Sequence, residues 1–580
     1  MSLPDNTSGN PTPASIANPN DAPEIAVAGQ GATVVPTSGG SAAAERGWRT
    51  RLGFGGASSA FSASLLLMGS SLLSGIFSLL RNTLVARYFG TGTDTAAYTA
   101  AFQLPDTILY LLIGGAASSA LISVLSRYRE RGEQAEADRA LCNILNVVAA
   151  VLLIAVLLGE VFAPAYIRYA FPKFREQPDL FAKCVHLTRI LLCNPLFFFA
   201  GGVLGSRLLV RRIFVYQALQ PVIYSGGILL GAVLLHSRMG VDSLAVGAAA
   251  GAFAGPLLMN YVGAHRTGLR WTPEWDLRHP ALREWFLLNL PLMLGQSLTT
   301  TDSWIRNYFI SGDKFDLSRL NFARLLFTAP MNVLGPAAGT ASLPFFASLW
   351  QKKDIAAFSA AVDKSVSRMI AVSLLVGGWM IGLAPLIVQL VLRGGRFTAS
   401  DSAITTRYFV VYTLSLFLWT SQNLYARAFY AAGDTFTPMV SGTVVTLVSI
   451  PVYGALYKTV GAEGLVWAAD AGMLLHTGSL AVLLHKKRMV SIAELDGAEL
   501  GKSLLAAFLG CLATLVAMSV LPAAHGRALA LVNVIAGTIV WAGVCFAVLR
   551  VTGAKLPDVV LRRKAASKQV SASASQRVRV

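Results

Sequence analysis

The sequence predicts an all-α polytopic membrane protein: about fourteen transmembrane helices in two pseudo-symmetric six-helix lobes, followed by a C-terminal helix pair. Three observations predict it. First, the 580 residues are 54% hydrophobic and 13% charged, against roughly 25% charged in an ordinary soluble domain. Too few charges remain to cover a soluble surface of this size, so the apolar excess must face lipid. Second, apolar runs of about 20 residues, enough to span a bilayer, recur along the whole chain. Third, the chain repeats itself: "LRN" (Leu80–Asn82) is followed by "GAASSALISVLSRY" (Gly115–Tyr128), and "IRN" (Ile305–Asn307) by "GTASLPFFASLWQK" (Gly339–Lys352), in the same order and at similar spacing.

Taken in order, residues 1–55 are rich in Pro, Gly, Ser and Ala without periodicity and read as a disordered cytoplasmic tail. Spans are expected near 58–88, 97–125, 140–167, 182–206, 213–235 and 241–264, forming an N-lobe over 56–265. A C-lobe over 266–490 holds spans near 284–311, 319–348, 362–391, 404–431, 436–457 and 462–484. Two more, near 500–521 and 528–549, lie within 491–552, and 553–580 is a basic tail suited to anionic lipid. The five cysteines sit in apolar surroundings without CxxC or Cys/His spacing and read as small hydrophobes.

The net charge of +18 is scattered through interhelical connections, which reads as topology-setting charge and not as a nucleic-acid surface. Arg127/Arg129/Arg131, Arg207/Arg211/Arg212, Arg266/Arg270/Arg278, Lys352/Lys353 and Lys486/Lys487/Arg488 fall on one side of an even span count. That side is expected to be cytoplasmic, with both termini there. Lys173/Arg175 and Arg393/Arg396 break the pattern by falling on the other side.

Ionisable residues inside spans point to function, because a lipid-facing charge costs about 2.5–3.5 kcal/mol even on the lenient insertion scale. Arg81, Arg87, Asp302, Arg306, Arg324, Arg427 and Asp470 qualify, with Arg189 nearer an end. Asp302 and Arg306 stand four apart and can neutralise each other. Arg87 is expected to snorkel. Arg81 and Arg324 have no acid within one helical turn and are expected to await an anion, for which a guanidinium fork suits phosphate. No P-loop, HExxH or GxSxG occurs, so movement and not conversion of a substrate is expected, with no cofactor and no metal.

"RAFYAAGDTFTP" (Arg427–Pro438), "LLRNTLVARYFGTG" (Leu79–Gly92), "AFQLPDTI" (Ala101–Ile108), "GGAASSALISVLS" (Gly114–Ser126), "NFARLLFTAPMNVLGPAAGTASLP" (Asn321–Pro344) and "RGGRFTASD" (Arg393–Asp401) occur in register over about 60–490. In these the chain resembles the MurJ/MviN family of lipid II flippases, within the multidrug/oligosaccharidyl-lipid/polysaccharide exporter superfamily. The resemblance implies fourteen helices around a V-shaped cavity, a lipid-tail groove built with the last two helices, and alternating access that carries an undecaprenyl-diphosphate-linked precursor from the cytoplasmic to the periplasmic leaflet of the inner membrane. By motif position it implies substrate contacts for Arg81 and Arg324 and a gate or headgroup role for Arg396; Arg306 would assist from the seventh helix. Asp302 and Asp470 remain candidates for ion binding or helix pairing. Expected partners are the lipid-linked diphosphate, membrane lipids and cell-wall synthesis proteins, with no nucleic acid. Gly114, Gly115, Gly335 and Gly339 would allow close helix approach.

The chain departs from the family where charge is expected: Gly75, Asn82, Leu109 and Gly114 occupy positions that the family fills with ionisable groups. Three other readings follow. One is a flippase for another polyprenyl-diphosphate-linked glycan, one a non-transporting scaffold of cell-wall assembly, and one a drug/cation antiporter, which would want unpaired cavity carboxylates.

Overall fold

A computed structural model of the protein describes residues 60–113, 117–491, 495–522 and 526–555. The expected tails lie outside these residues, apart from 553–555, as do Gly114, Gly115 and the surroundings of Gly335 and Gly339. The described chain is a succession of helices that makes fourteen crossings. Nine helical stretches among the described residues are long and apolar enough to cross a bilayer unaided.

The first span is Ala60–Phe89. The second runs through three pieces, Thr93–Ala101, Gln103–Ile113 and Ala117–Glu130. Pro105, in the first turn of the middle piece, has no N–H to give the preceding helix, so the chain restarts at Gln103. Gln134–Ala170 is the third span. The fourth restarts at Asn194, again with a proline in the first turn (Pro195). Val215–Leu234 is the fifth, and the sixth passes through a π-helical stretch, Phe253–Met259, around Pro256.

Pro280–Ile310, Lys314–Gln351 and Ile355–Val391 are spans seven to nine. Their starts are capped by His279, Asp313 and Asp354, whose side chains accept backbone N–H groups that the helix cannot satisfy. The tenth is split at Ser415 between Ala399–Leu414 and Leu416–Ala431. Phe436–Val460, Ala462–Lys486, Gly497–Val520 and Arg527–Val551 complete the set. The splits in spans two, four and ten and the π-helical stretch in span six are findings that hydropathy alone did not anticipate.

Packing repeats between the halves. In the first, span one packs on five, five on six, two on four, three on four and four on six. In the second, seven packs on eleven, eleven on twelve, eight on ten, nine on ten and ten on twelve. The same pairs offset by six spans make two lobes of one design. Spans thirteen and fourteen pack on the ninth, where a Cβ added at Gly378 would lie 2.7 Å from the Ala507 carbonyl oxygen.

An even number of crossings puts the start of the first span and the end of the last on one face, called here the near face; the other is the far face. The linker between lobes is bound to the N-lobe at the near face: Asn143 exchanges two 2.8 Å hydrogen bonds with the Asp276 backbone, and Asn146 donates to the Thr272 and Glu274 carbonyls.

Candidate functional site

At 1.5 Å per residue, Arg81 lies about 12 Å along its helix from the far end of the first span, and Arg324 about 15 Å from the far end of the eighth. One arginine from each lobe thus occupies a similar depth. Arg81 is half-buried; its Nη2 donates to Ser78 Oγ at 3.3 Å, and its Nε is buried without a partner. It lies within electrostatic reach of Tyr98 on the second span and Tyr224 on the fifth. Such a guanidinium has hydrogen-bonding capacity left over.

Arg324 is not unpaired, as the spacing of acids along its own helix suggested. Its Nη1 donates to Asp302 Oδ2 at 2.7 Å, across from the eighth span to the seventh. Sequence spacing could not show this, because the acid stands 22 residues away. The pair Asp302 and Arg306 forms as the spacing expected, at 3.2 Å. Asp302 Oδ1 also accepts the Tyr453 hydroxyl. Arg306 is 2% exposed and lies against Tyr412 and Tyr453 inside the C-lobe, whereas the Arg324 side chain keeps 27% of its surface open.

Asp470 is buried in the twelfth span and accepts the hydroxyl of Ser415, at the split of the tenth, on Oδ1 at 2.5 Å; Oδ2 has no partner. Arg427 sits about one turn before the near end of the tenth span, beside Tyr430. Arg87 is exposed near the far face.

Asp106 was missed. It stands in "AFQLPDTI", exposed in the first turn of the middle piece of the second span, and acts electrostatically on the same Tyr98 and Tyr224 that sense Arg81. An ionisable residue inside an expected span was the available signal.

The far face is closed over this depth. Thr91, just past the first span, donates to Asp401 Oδ1 at 2.8 Å; Arg319 donates to the same oxygen from Nε and Nη2, and from Nη1 to Asp316. Arg396 is exposed in the turn between spans nine and ten, its backbone N–H bound to the Arg87 carbonyl at 2.9 Å. A second seam joins the lobes along spans two and seven: Asn307 donates to Gln103 at 2.9 Å, and Arg127 pairs with Glu284 at the near face. Chemically the arrangement offers cationic groups from both lobes beneath a closed far rim. Among the described residues no group of His, Cys, Asp and Glu is spaced to hold a metal.

A family model described as "Lipid II flippase MurJ" matches residues 85–535. The chain is 25% identical over 411 residues to a probable lipid II flippase MurJ of Rhizobium meliloti (strain 1021), covering 69% of this chain and 76% of that protein. It is 24% identical over 442 residues to a lipid II flippase MurJ of Burkholderia cenocepacia, covering 74% and 84%. A solved structure of a lipid II flippase MurJ in an inward closed conformation superposes with TM-score 0.70 at 19% identity, over 84% of this chain and 99% of that one. An inward-facing multidrug resistance MATE family transporter superposes with TM-score 0.59 at 13% identity, over 73% and 98%. These structural likenesses are likenesses of fold.

Proposed function

The chain belongs to the lipid II flippase MurJ family, and from that premise we propose that it carries a polyprenyl-diphosphate-linked peptidoglycan precursor, lipid II, across the bacterial inner membrane by alternating access. The observation that supports this most is the pair Arg81 and Arg324: one mid-span arginine from each lobe, both partly accessible, at similar depth under a closed far rim. Two guanidinium groups in a medium of low dielectric attract a diphosphate strongly and match its oxygens in bidentate fashion.

In this reading the near face is cytoplasmic and carries both termini, and the far face is periplasmic. Arg81 and Arg324 hold the diphosphate, Arg306 contributes through Asp302, and the Arg396 turn closes the periplasmic rim. The sugar and peptide stay in water between the lobes. The polyprenyl tail runs along spans thirteen and fourteen, where Phe508, Leu512, Val516 and Ile539 are exposed. The protein acts as a carrier and performs no covalent chemistry.

Gly75, Asn82 and Leu109 favour one second reading, a different glycan on the same polyprenyl diphosphate, because headgroup contacts made through charge at those positions are missing. Complementation of cells depleted of their own lipid II flippase tests the proposal. The wild-type chain should restore growth, while R81A and R324A, accumulating to the same level, should not. Rescue by both variants would show that Arg81 and Arg324 do not carry the diphosphate, and no rescue by the wild type would favour the other glycan or the scaffold.

A further inference from the structure

We propose that Asp302 is an internal counter-anion that occupies Arg324 until a diphosphate replaces it, so that the site selects diphosphates over singly charged phosphodiester headgroups. The inference rests on the diphosphate-carrier reading above and assigns a role to a residue of the seventh span.

The geometry around the carboxylate carries it. Oδ2 accepts Nη1 of Arg306 at 3.2 Å and Nη1 of Arg324 at 2.7 Å, and Oδ1 accepts the Tyr453 hydroxyl. Two guanidinium groups share one carboxylate, so the trio keeps a single net positive charge. The two arginines are not equivalent. Arg306 is on the same helix as Asp302, buried and enclosed by tyrosines of spans ten and eleven. Arg324 comes from another helix, has an open side, and makes no other side-chain ion pair among the described residues.

When Arg324 turns away, Asp302 therefore keeps Arg306 and Tyr453. Breaking a buried pair is usually costly because one charge is left uncompensated; here none is. The exchange is open only to a ligand that outbids a carboxylate. A phosphodiester brings the same single charge as Asp302 and gains little, whereas a diphosphate brings more charge and more acceptor oxygens. Return of Asp302 to Arg324 then assists release, which a bare arginine would oppose.

The test uses the full-length protein in nanodiscs of neutral lipid, with undecaprenyl diphosphate as ligand, phosphatidylglycerol as competitor and thermal unfolding as a check on folding. Asp302→Asn should raise affinity for undecaprenyl diphosphate about tenfold or more, make phosphatidylglycerol an effective competitor, and slow flipping in vesicles. Because D302N leaves Arg306 buried without its acid, the double variant D302N/R306M is measured beside it and should bind diphosphate more tightly in the same way. If the folded variants bind diphosphate no more tightly than wild type, and phosphatidylglycerol still does not compete, Asp302 is a structural ion pair and the inference falls. Failure of the carrier reading looks different: wild type itself would not bind undecaprenyl diphosphate, and R324A would change nothing.

Discussion

The backbone N–H of Arg396 donates to the carbonyl oxygen of Arg87 at 2.9 Å, fastening the turn between spans nine and ten to the end of the first span. Two glycines make the approach possible. Gly395 has φ 58° and Gly90 φ 67°, both in the left-handed region; a Cβ on Gly395 would lie 2.1 Å from the Arg87 carbonyl oxygen, and one on Gly90 2.7 Å from that of Arg396. A non-glycine residue in the left-handed region costs about 1–2 kcal/mol before any clash. Gly395→Val should therefore part the far rim while leaving each lobe folded. Labelling of a cysteine placed at Ala97, buried at the start of the second span, with a membrane-impermeant thiol reagent should speed up in G395V; an unchanged rate would show that this turn does not seal the rim.

Thr91 and Arg319 meet on one carboxylate oxygen of Asp401, yet they do different work. Thr91 belongs to the N-lobe, whereas Arg319 and Asp401 both belong to the C-lobe, so only the 2.8 Å threonine bond crosses between lobes. A hydrogen bond to a charged group contributes about 1.5–3 kcal/mol. Thr91→Val should shift the population toward far-open forms by that order with little change in thermal stability. Arg319→Met should lower stability more, because Asp401 is buried and would lose its charge partner. A distance distribution between spin labels on the two far rims, together with unfolding temperatures, separates the effects. Equal rim opening in both variants would count against this division of labour.

How much of this was legible beforehand depends on how far each feature reaches along the chain. The Asp302–Arg306 pair was readable because helical spacing alone brings i and i+4 together. The Arg324–Asp302 pair was not, since it depends on how the seventh and eighth helices face each other. Arg393 and Arg396 broke the charge pattern at the far face. The structure shows backbone contacts there, Arg396 N–H to Arg87 and the Arg393 carbonyl accepting from Arg527, and such contacts leave no trace in charge counting. The span count was legible from hydropathy. The split at Ser415 was not, because its serine turns aside to Asp470, a residue 55 positions away.

Spans five and six pack backbone to backbone through Gly227, Gly231, Gly247 and Gly251, the close approach that small residues permit in lipid. A Cβ on Gly231 would lie 2.4 Å from the Ser243 carbonyl oxygen, whereas one on Gly226 would meet only the edge of the Phe77 ring at 3.6 Å, ordinary contact. Gly231→Ala should lower the unfolding temperature, and Gly226→Ala should leave it unchanged or raise it slightly through helix propensity. Similar temperatures for the two variants would mean that the seam yields easily.

At the near face the turn Gly433–Asp434 joins spans ten and eleven. Asp434 accepts the Thr437 backbone N–H at 2.9 Å and the Thr437 hydroxyl at 2.7 Å, capping the eleventh span, and pairs with Lys487 at the end of the twelfth. Partial burial opposes ionisation, but the Lys487 ammonium and the Thr437 donors outweigh it and hold the carboxyl below its ordinary value of 3.8. A carboxyl depressed in the folded state adds stability that is fully present above the unfolded value and is lost as pH falls through the folded one. Asp434→Asn keeps the capping oxygen and removes the charge. It should lower stability at pH 7 by about 0.2–1 kcal/mol, the range of an exposed pair, and the gap between the two proteins should close as pH drops below 3.8. Asp434→Ala should cost about a further 1 kcal/mol for the lost cap and retain that part of its deficit in acid. Unfolding of the three proteins across this pH range decides it: a deficit in D434N that persists in acid would assign the effect to something other than the Lys487 pair.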